Sequence, residues 1–154
     1  MLQKMLTRTS IAPLTLVLFI GGCATSQSPS TQTVVGAASL DKPLYLIGSF
    51  NWWEVDEKYV FTEVTRGEYS TKVELIADGQ PYDFIIADAK WSPGYTCGYR
   101  SKNTDRVLEL NKSSDANCTS RTNNFQFKPT ANGTYTVTIN LSKEVPRVSL
   151  SQDS

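Results

Sequence analysis

Residues 44–53 read Leu44-Tyr45-Leu46-Ile47-Gly48-Ser49-Phe50-Asn51-Trp52-Trp53, and this stretch holds the strongest fold signal of the chain. Tyr45 and Ile47 alternate with Leu46, as side chains do on the two faces of a β-strand. Gly48 and Asn51 then mark a turn, because both residue types tolerate the backbone conformations that turns require. The stretch therefore predicts a strand that ends in a loop with two adjacent tryptophans.

The same two-residue period recurs along the rest of the chain. In 68–75 and 134–141, large or apolar side chains occupy every second position and polar ones lie between them. Asp78-Gly79 and Asn132-Gly133 are turn signals, and no window of about 12 residues shows the 3.6-residue period of a helix. The predicted strands are 44–49, 58–63, 68–75, 80–87, 106–110, 123–128, 134–141 and 147–150. Seven or eight short strands in about 110 residues predict an all-β, immunoglobulin-like β-sandwich.

The N-terminal segment predicts export and lipid attachment. Lys4 and Arg8 precede an apolar run over 11–20, which is too short to cross a bilayer, and small residues then lead to Cys23. This order is typical of a secretory signal and resembles a bacterial lipobox, in which Cys23 is acylated and becomes the new N-terminus. Ala24 rather than Asp follows, which favours the outer membrane in enterobacterial sorting. The alternative is an ordinary signal peptide with an incidental Cys23, or a short uncleaved anchor.

Composition limits what the mature chain can do. We predict a signal peptide over 1–22, the lipidated cysteine with a flexible tether rich in Ser, Thr and Gln over 23–41, and one folded domain over 42–150. The mature chain then has 13 basic and 15 acidic residues, a formal charge near −2, which does not indicate nucleic-acid binding. There is no histidine, the commonest general acid or base near neutral pH and a frequent metal ligand. We therefore expect no metal, no cofactor and no enzymatic activity.

Two cysteines remain once Cys23 is lipidated. Cys97 and Cys118 lie in a chain that we expect to be exported, so a structural disulfide is the natural prediction. A cysteine-based zinc site would need more ligands than two thiols. The irregular connection 89–105, which holds Trp91, Tyr95 and Cys97, is predicted to be functional, stapled by this disulfide, or both.

Three sequence elements, the first of them in the opening stretch, carry a resemblance to a known family. They are Gly48-Ser49-Phe50-Asn51 with Trp53, then Tyr82-x-Phe84 followed by Asp88 and Trp91, and finally Asn123-Asn124 at the start of a strand. Their order resembles the early-set, immunoglobulin-like starch- and glycogen-binding modules. Similar members are the glycogen-binding module of the AMP-activated kinase β subunit and the small β-domains of bacterial pullulanases. The likeness spans residues 42–150.

The resemblance implies a sugar site. In glycan-binding members the two motif tryptophans stack on glucose rings, and the side-chain amide of the asparagine forms hydrogen bonds with sugar hydroxyls. These roles would fall on Trp53, Trp91 and Asn123. Trp52 and Asp83 would be further contacts. The kinase-type modules carry Lys where this chain has Asp83, so a donor to hydroxyls is replaced by an acceptor. The connection between the two cysteines is also longer than its counterpart in those modules.

The chemistry of the residues agrees with this implication, since a pyranose has an apolar face for an aromatic ring and a rim of hydroxyls for amides and carboxylates. We therefore predict non-catalytic binding of α-glucan or maltooligosaccharide by a lipid-anchored protein of the bacterial envelope, in its outer membrane. The alternative is an envelope protein-interaction or structural module without a glycan site. Trp53 could then be a half-buried hinge, Trp52 a core residue rather than a platform, and Trp91 a residue packed under the disulfide loop. Tyr95 and Tyr99 are weaker candidates for the site.

Overall fold

A computed structural model of the chain describes residues 40–154, and these residues form an antiparallel all-β structure. Its nine strands are β1 Tyr45–Gly48, β2 Thr62–Thr65, β3 Glu68–Leu75, β4 Tyr82–Ala87, β5 Thr96–Tyr99, β6 Ser113–Asn117, β7 Phe125–Phe127, β8 Gly133–Asn140 and β9 Arg147–Gln152. Two short 3₁₀ turns, Ser49–Asn51 and Glu57–Tyr59, follow β1. The predicted signal peptide, Cys23 and all but the end of the predicted tether lie outside the described residues. Among residues 40–154, no helix is long and apolar enough to span a membrane.

The strands form one sheet that curls back on itself. They are hydrogen-bonded in the order β1-β4-β5-β6-β9-β8-β3-β2, and β7 pairs with the first half of β4. The two ends of this path meet, because Tyr45 in β1 forms a bridge with Val60 and the Phe61 amide donates to the Leu44 carbonyl at 2.8 Å. The curled sheet thus gives two layers with the core between them, and the predicted all-β sandwich is confirmed.

The alternation predicted from the sequence explains which faces are buried. In β3, Tyr69, Val73 and Leu75 are buried, whereas Lys72 and Glu74 between them are exposed. The paired strand β8 repeats the pattern, so both strands turn one apolar face to the core. Burial of such faces is the main favourable contribution to folding. The largest side chains that are fully enclosed are those of Tyr135 and Phe125.

The strand prediction differs from the structure between β4 and β7. The predicted strand 106–110 does not form, and Val107 makes only a single parallel bridge to Gln126. Two strands appear instead, β5 inside the connection predicted to be irregular and β6 after it. Strand β6 is polar (Ser-Ser-Asp-Ala-Asn), and β5 contains Gly98, whose missing side chain lets the Asn123 backbone approach. Strand β6 therefore lacks the β-branched or aromatic composition that marks strands, and β5 is short and contains a glycine, which weakens a strand pattern.

The predicted disulfide is confirmed. Cys97 in β5 is bonded to Cys118, which directly follows β6. These two strands carry the sheet from β4 on one layer to β9 on the other. The disulfide bond therefore joins β5 to the end of β6 where the sheet passes from one layer to the other.

Candidate functional site

The first tryptophan loop is built by the residues around its turn. The Asn51 side chain accepts from the Gly48 amide at 2.9 Å and donates to the Glu54 carbonyl at 2.8 Å. The Trp53 amide donates to the Gly48 carbonyl at 3.0 Å. A Cβ at Gly48 would lie 2.6 Å from the Asp83 carbonyl oxygen, so glycine is required for β1 to lie against β4. Gly48 and Asn51 thus shape the loop that holds the two indoles.

All three tryptophans have an unusual backbone conformation. Their φ angles are 58° at Trp52, 63° at Trp53 and 53° at Trp91, and the only other non-glycine residue with positive φ in the described part is Asn111. This left-handed region is uncommon for residues with a bulky side chain and costs about 1–2 kcal/mol. The turns around the tryptophans hold their backbones against this preference, which is frequent at functional sites.

The three indoles differ in exposure, and none of them is in the core. Trp52 is 86% exposed and Trp53 39% exposed, whereas Trp91 is half-buried. Trp91 packs on an outer cluster, which we define as Tyr45, Ile47, Ile85 and Ala87. These four residues lie on the face of β1 and β4 that is turned away from the main core. Trp91 therefore covers the outer surface of the sheet while part of its ring reaches solvent.

The loop that carries Trp91 is held by a buried carboxylate. Asp88 is only 3% exposed, and it accepts from the Ser92 amide at 2.6 Å and from the Ser92 hydroxyl at 2.7 Å. The Trp91 amide donates to the Asp88 carbonyl at 3.0 Å. Burial opposes ionisation of Asp88, but the hydrogen bonds from Ser92 and the Lys42 ammonium outweigh it, so the pKa of Asp88 lies below its usual value. The charged carboxylate organises the turn.

Asp41 and Lys42 are attached to the same loop. The Tyr95 hydroxyl donates to Asp41, and the Lys42 ammonium lies 3.4 Å from the Ser92 hydroxyl oxygen and 4.6 Å from the centre of the Tyr95 ring. The hydrogen bond to Asp41, together with burial, raises the pKa of Tyr95 to about 12. The Tyr95 ring also packs against the main core, so this candidate from the sequence is occupied by structural contacts.

Asp83 and Asn123 are placed differently from each other. Asp83 faces outward from β4 and is paired in register with Gln126, whose side-chain amide donates to it at 3.2 Å. The side-chain amide of Asn123 donates to the Tyr99 carbonyl at 3.0 Å, and its own backbone carbonyl accepts from the Tyr99 amide. Asp83 thus lies on the outer face with a carboxylate that is about one-third exposed, whereas Asn123 connects β5 to the start of β7.

The antiparallel register shows which predicted residues come together. Gly48 is opposite Phe84 and Tyr45 is opposite Ala87, so the loops after β1 and β4 leave opposite ends of this strand pair. Three residues of strand separate these ends, about 10 Å. The loop with Trp53 therefore begins beside Asp83, and the loop with Trp91 begins beside Tyr45. The outer cluster between these ends is at most 5% exposed, so the candidate site consists of the two loops and the outward side chain of Asp83.

Sequence reasoning missed the residues that extend this face. Gln126 lies between two core phenylalanines in β7, so its outward position was already implied by the alternation of the predicted strand 123–128. Arg106 and Val107 lie in the predicted strand 106–110, but nothing in the sequence indicated that this segment lies beside β7, which it reaches through a single parallel bridge. Tyr45, which donates to Glu57 at 2.9 Å, is also on the outer face; that hydrogen bond, with burial and the Glu57 charge, raises its pKa.

The side chains of the candidate site can stack on a ligand and exchange hydrogen bonds with it. The site offers indole rings, a carboxylate and a side-chain amide, and no group of three or more His, Cys, Asp or Glu in residues 40–154 is arranged to hold a metal ion.

No family of known proteins matches the sequence, and no curated protein matches it. A solved structure described as "Ligand induced structure of AmyP-SBD", a starch-binding domain, aligns with a TM-score of 0.56 over 99% of this chain and 97% of that chain, at 13% identity. At this identity the similarity concerns the fold.

Proposed function

We propose that this protein is a non-catalytic carbohydrate-binding module for α-glucan, and that Trp53 and Trp91 are its principal contacts. The observation that carries the proposal is the left-handed backbone of all three tryptophans, two of them exposed and the third packed on an outer face. A fold that places indoles at the surface against their backbone preference uses those rings for contact. The fold shared with a starch-binding domain supports a glucan as the ligand.

The residues have distinct roles in this proposal. Trp53 and Trp91 take the apolar faces of glucose rings, Asp83 accepts hydrogen bonds from hydroxyls, and Trp52 provides additional aromatic surface. The side-chain oxygen of Asn123 is its remaining means of contacting a hydroxyl, since its amide nitrogen donates to Tyr99. Stacking on an aromatic ring contributes about 1–3 kcal/mol. Two rings and a few hydrogen bonds give a Kd in the roughly micromolar to millimolar range.

Affinity electrophoresis tests the proposal directly. The wild-type domain should be retarded in a gel that contains glycogen or amylopectin, and Trp53→Ala and Trp91→Ala should each remove most of the retardation. Val64→Ala is the matched control, because Val64 is 53% exposed on β2 and outside the site. Circular dichroism confirms that each variant is folded. Equal migration of the wild type with and without polysaccharide would refute glucan binding.

A protein partner is the second candidate ligand, and the 86% exposure of Trp52 is the observation that favours it. An exposed tryptophan is a common centre of protein interfaces. This alternative requires an envelope protein that co-purifies with the wild type and is lost in Trp52→Ala, without any glucan retardation. The same gel experiment therefore separates the two candidates.

We also propose that the domain is anchored in the outer membrane through lipid on Cys23. The support is the sequence alone, an apolar run that ends in Gly21-Gly22-Cys23 and is followed by Ala24. In cells fed labelled palmitate, the wild type should be labelled and sediment with outer membranes. Cys23→Ser should lose both properties, and Ala24→Asp should keep the label but move to the inner membrane. A labelled Cys23→Ser protein would contradict the proposal.

A further inference from the structure

The outer face does not end at β4 but continues across two further segments. Strand β7 pairs with β4 so that Asp83 is opposite Gln126, and Gln126 in turn is opposite Val107 in the parallel bridge. Residues paired in this way point to the same side of a sheet. Two hydrogen bonds hold the last segment in place, from the Gln126 amide to the Arg106 carbonyl at 2.7 Å and from the Leu108 amide to the Gln126 carbonyl at 2.8 Å.

Burial confirms the direction of these side chains. Leu108 is buried in the main core, whereas the preceding Val107 is 57% exposed. Phe125 and Phe127 are likewise buried on either side of half-buried Gln126. The outward row thus runs from Asp83 through Gln126 to Val107. Neighbouring strands lie about 4.8 Å apart, so the row extends the face by about 10 Å beyond β4, more than one hexose ring needs.

The row is polar and incompletely paired. Asp83 Oδ1 receives the Gln126 amide at 3.2 Å, and the Arg106 guanidinium lies 3.8 Å from the same oxygen, beyond hydrogen-bond distance. Both charged side chains are about one-third exposed (36% for Arg106 and 37% for Asp83). A guanidinium carries five N–H donors in a fixed plane, so most of the Arg106 donors are directed elsewhere than at Asp83. Such a set can both donate to and accept from the hydroxyls of a sugar.

We propose that Asp83, Gln126, Arg106 and Val107 form a second subsite, which binds further glucose units of an α-glucan chain whose first units lie on Trp53 and Trp91. This inference rests on the proposed function and adds the segment 106–108 and Gln126 to it. Asp83 accepts hydrogen bonds from sugar hydroxyls, the Gln126 side chain accepts from and donates to them, and the Arg106 guanidinium donates to them. Val107 contacts the apolar face of a ring at the far end. The site thereby selects a chain over a disaccharide.

The test compares maltose with maltoheptaose by isothermal titration calorimetry on the mature chain. For the wild type, we expect maltoheptaose to bind at least tenfold more tightly than maltose. In Gln126→Ala and Arg106→Ala, the ratio of the two affinities should fall at least threefold. Lys112→Ala is the matched control, because Lys112 is an exposed cation of the same connection whose ion pair is with Glu109. Its ratio should equal that of the wild type.

The outcomes separate the two proposals. If the wild type binds neither sugar, the proposed function fails, and this inference fails with it. If both sugars bind the wild type with equal affinity, or if the ratio is unchanged in both folded variants, glucan binding stands and the second subsite is refuted. Thermal unfolding midpoints confirm that Gln126→Ala and Arg106→Ala are folded. The two variants replace different residues, neutral Gln126 and cationic Arg106, so the test stays decisive if one of them fails to fold.

Discussion

At the level of single residues, the tryptophans conflict with their own backbone. Trp52 has a φ of 58°, and its 86% exposure means that its ring gains little from packing within the domain. Glycine adopts this conformation at no steric cost, whereas a residue with a Cβ does not. Folding stability thus gives no reason for an indole at this position. A residue that opposes local preference without a packing gain is typical of functional sites, which supports the proposed role of Trp52 in ligand contact.

This conflict can be measured at Trp52. Trp52→Gly should have a free energy of unfolding about 1 kcal/mol higher than Trp52→Ala, because glycine removes the left-handed penalty that alanine retains. Urea denaturation followed by circular dichroism gives both values. If the two variants are equally stable and both are well below the wild type, the ring is a packing residue and our interpretation of Trp52 is wrong.

Gly98, in contrast to the tryptophans, is explained by packing, because the absence of a side chain lets the Asn123 backbone lie close to it. A Cβ at Gly98 would lie 1.8 Å from the Asn123 carbonyl oxygen, whereas a Cβ at Gly79 meets nothing within 4 Å. Gly98→Ala must separate β5 from the start of β7 and should lower the free energy of unfolding by about 3 kcal/mol or more. Gly79→Ala, at φ +88°, should lose only about 1 kcal/mol through backbone strain. Thermal unfolding of the two variants makes the comparison, and equal losses would contradict it.

At the level of elements, the Trp91 turn depends on the charge of Asp88. Its pKa lies below the ordinary value of 3.8, since the Ser92 donors and Lys42 favour the ionised form over the effect of burial. A depressed pKa in the folded state means that this stabilisation is complete above about pH 3.8. It is lost as the pH falls through the lower folded-state pKa. The position of Trp91 should therefore be most secure at neutral pH.

Asp88→Asn tests this dependence. The variant keeps one acceptor for Ser92 but loses the charge, so its free energy of unfolding should be about 1–2 kcal/mol below that of the wild type at pH 7. The difference should shrink as the pH drops below about 3.8, where Asp88 is protonated first in the unfolded chain, and it should vanish below the lower pKa of Asp88 in the folded protein. Asp78→Asn is the control, because exposed Asp78 accepts from the Gln80 amide in a similar turn. A difference that stays constant with pH would show that charge is not involved.

The elements also show how far the sequence could be interpreted. Strands such as β3 and β8 follow from alternation, because one buried face requires it, and the two tryptophan loops follow from motif order. Strand β6 could not be predicted, since its polar side chains are stabilised by pairing with β9 and not by their own composition. The second part of the site could be predicted only in part, because alternation implied an outward Gln126 but nothing local placed the segment 106–108 beside it. Arg106 reaches Asp83 only after a parallel bridge joins Val107 to Gln126, a long-range contact.

On the scale of the whole molecule, a single disulfide bond joins strands of the curled sheet within residues 40–154. The path from β4 to β9 runs through β5 and β6, and β6 meets β9 in only three register pairs, Ser113 to Asp115. The Cys97–Cys118 bond joins β5 and β6 where the sheet passes between layers. The outer face rests on the first part of this path. Its stability is thus tied to a bond that forms in an oxidising compartment.

Loss of this bond should weaken the whole domain, because it closes a loop with a sequence separation of 21 residues. Restricting such a loop in the unfolded chain contributes about 3 kcal/mol in the chain-entropy model. The double variant Cys97→Ala/Cys118→Ala should show this loss in urea denaturation, plus a smaller one from the cavity left by buried Cys97. Added reductant should lower the midpoint of the wild type and leave that of the double variant unchanged. If reductant destabilises both proteins equally, the bond does not hold the layers together.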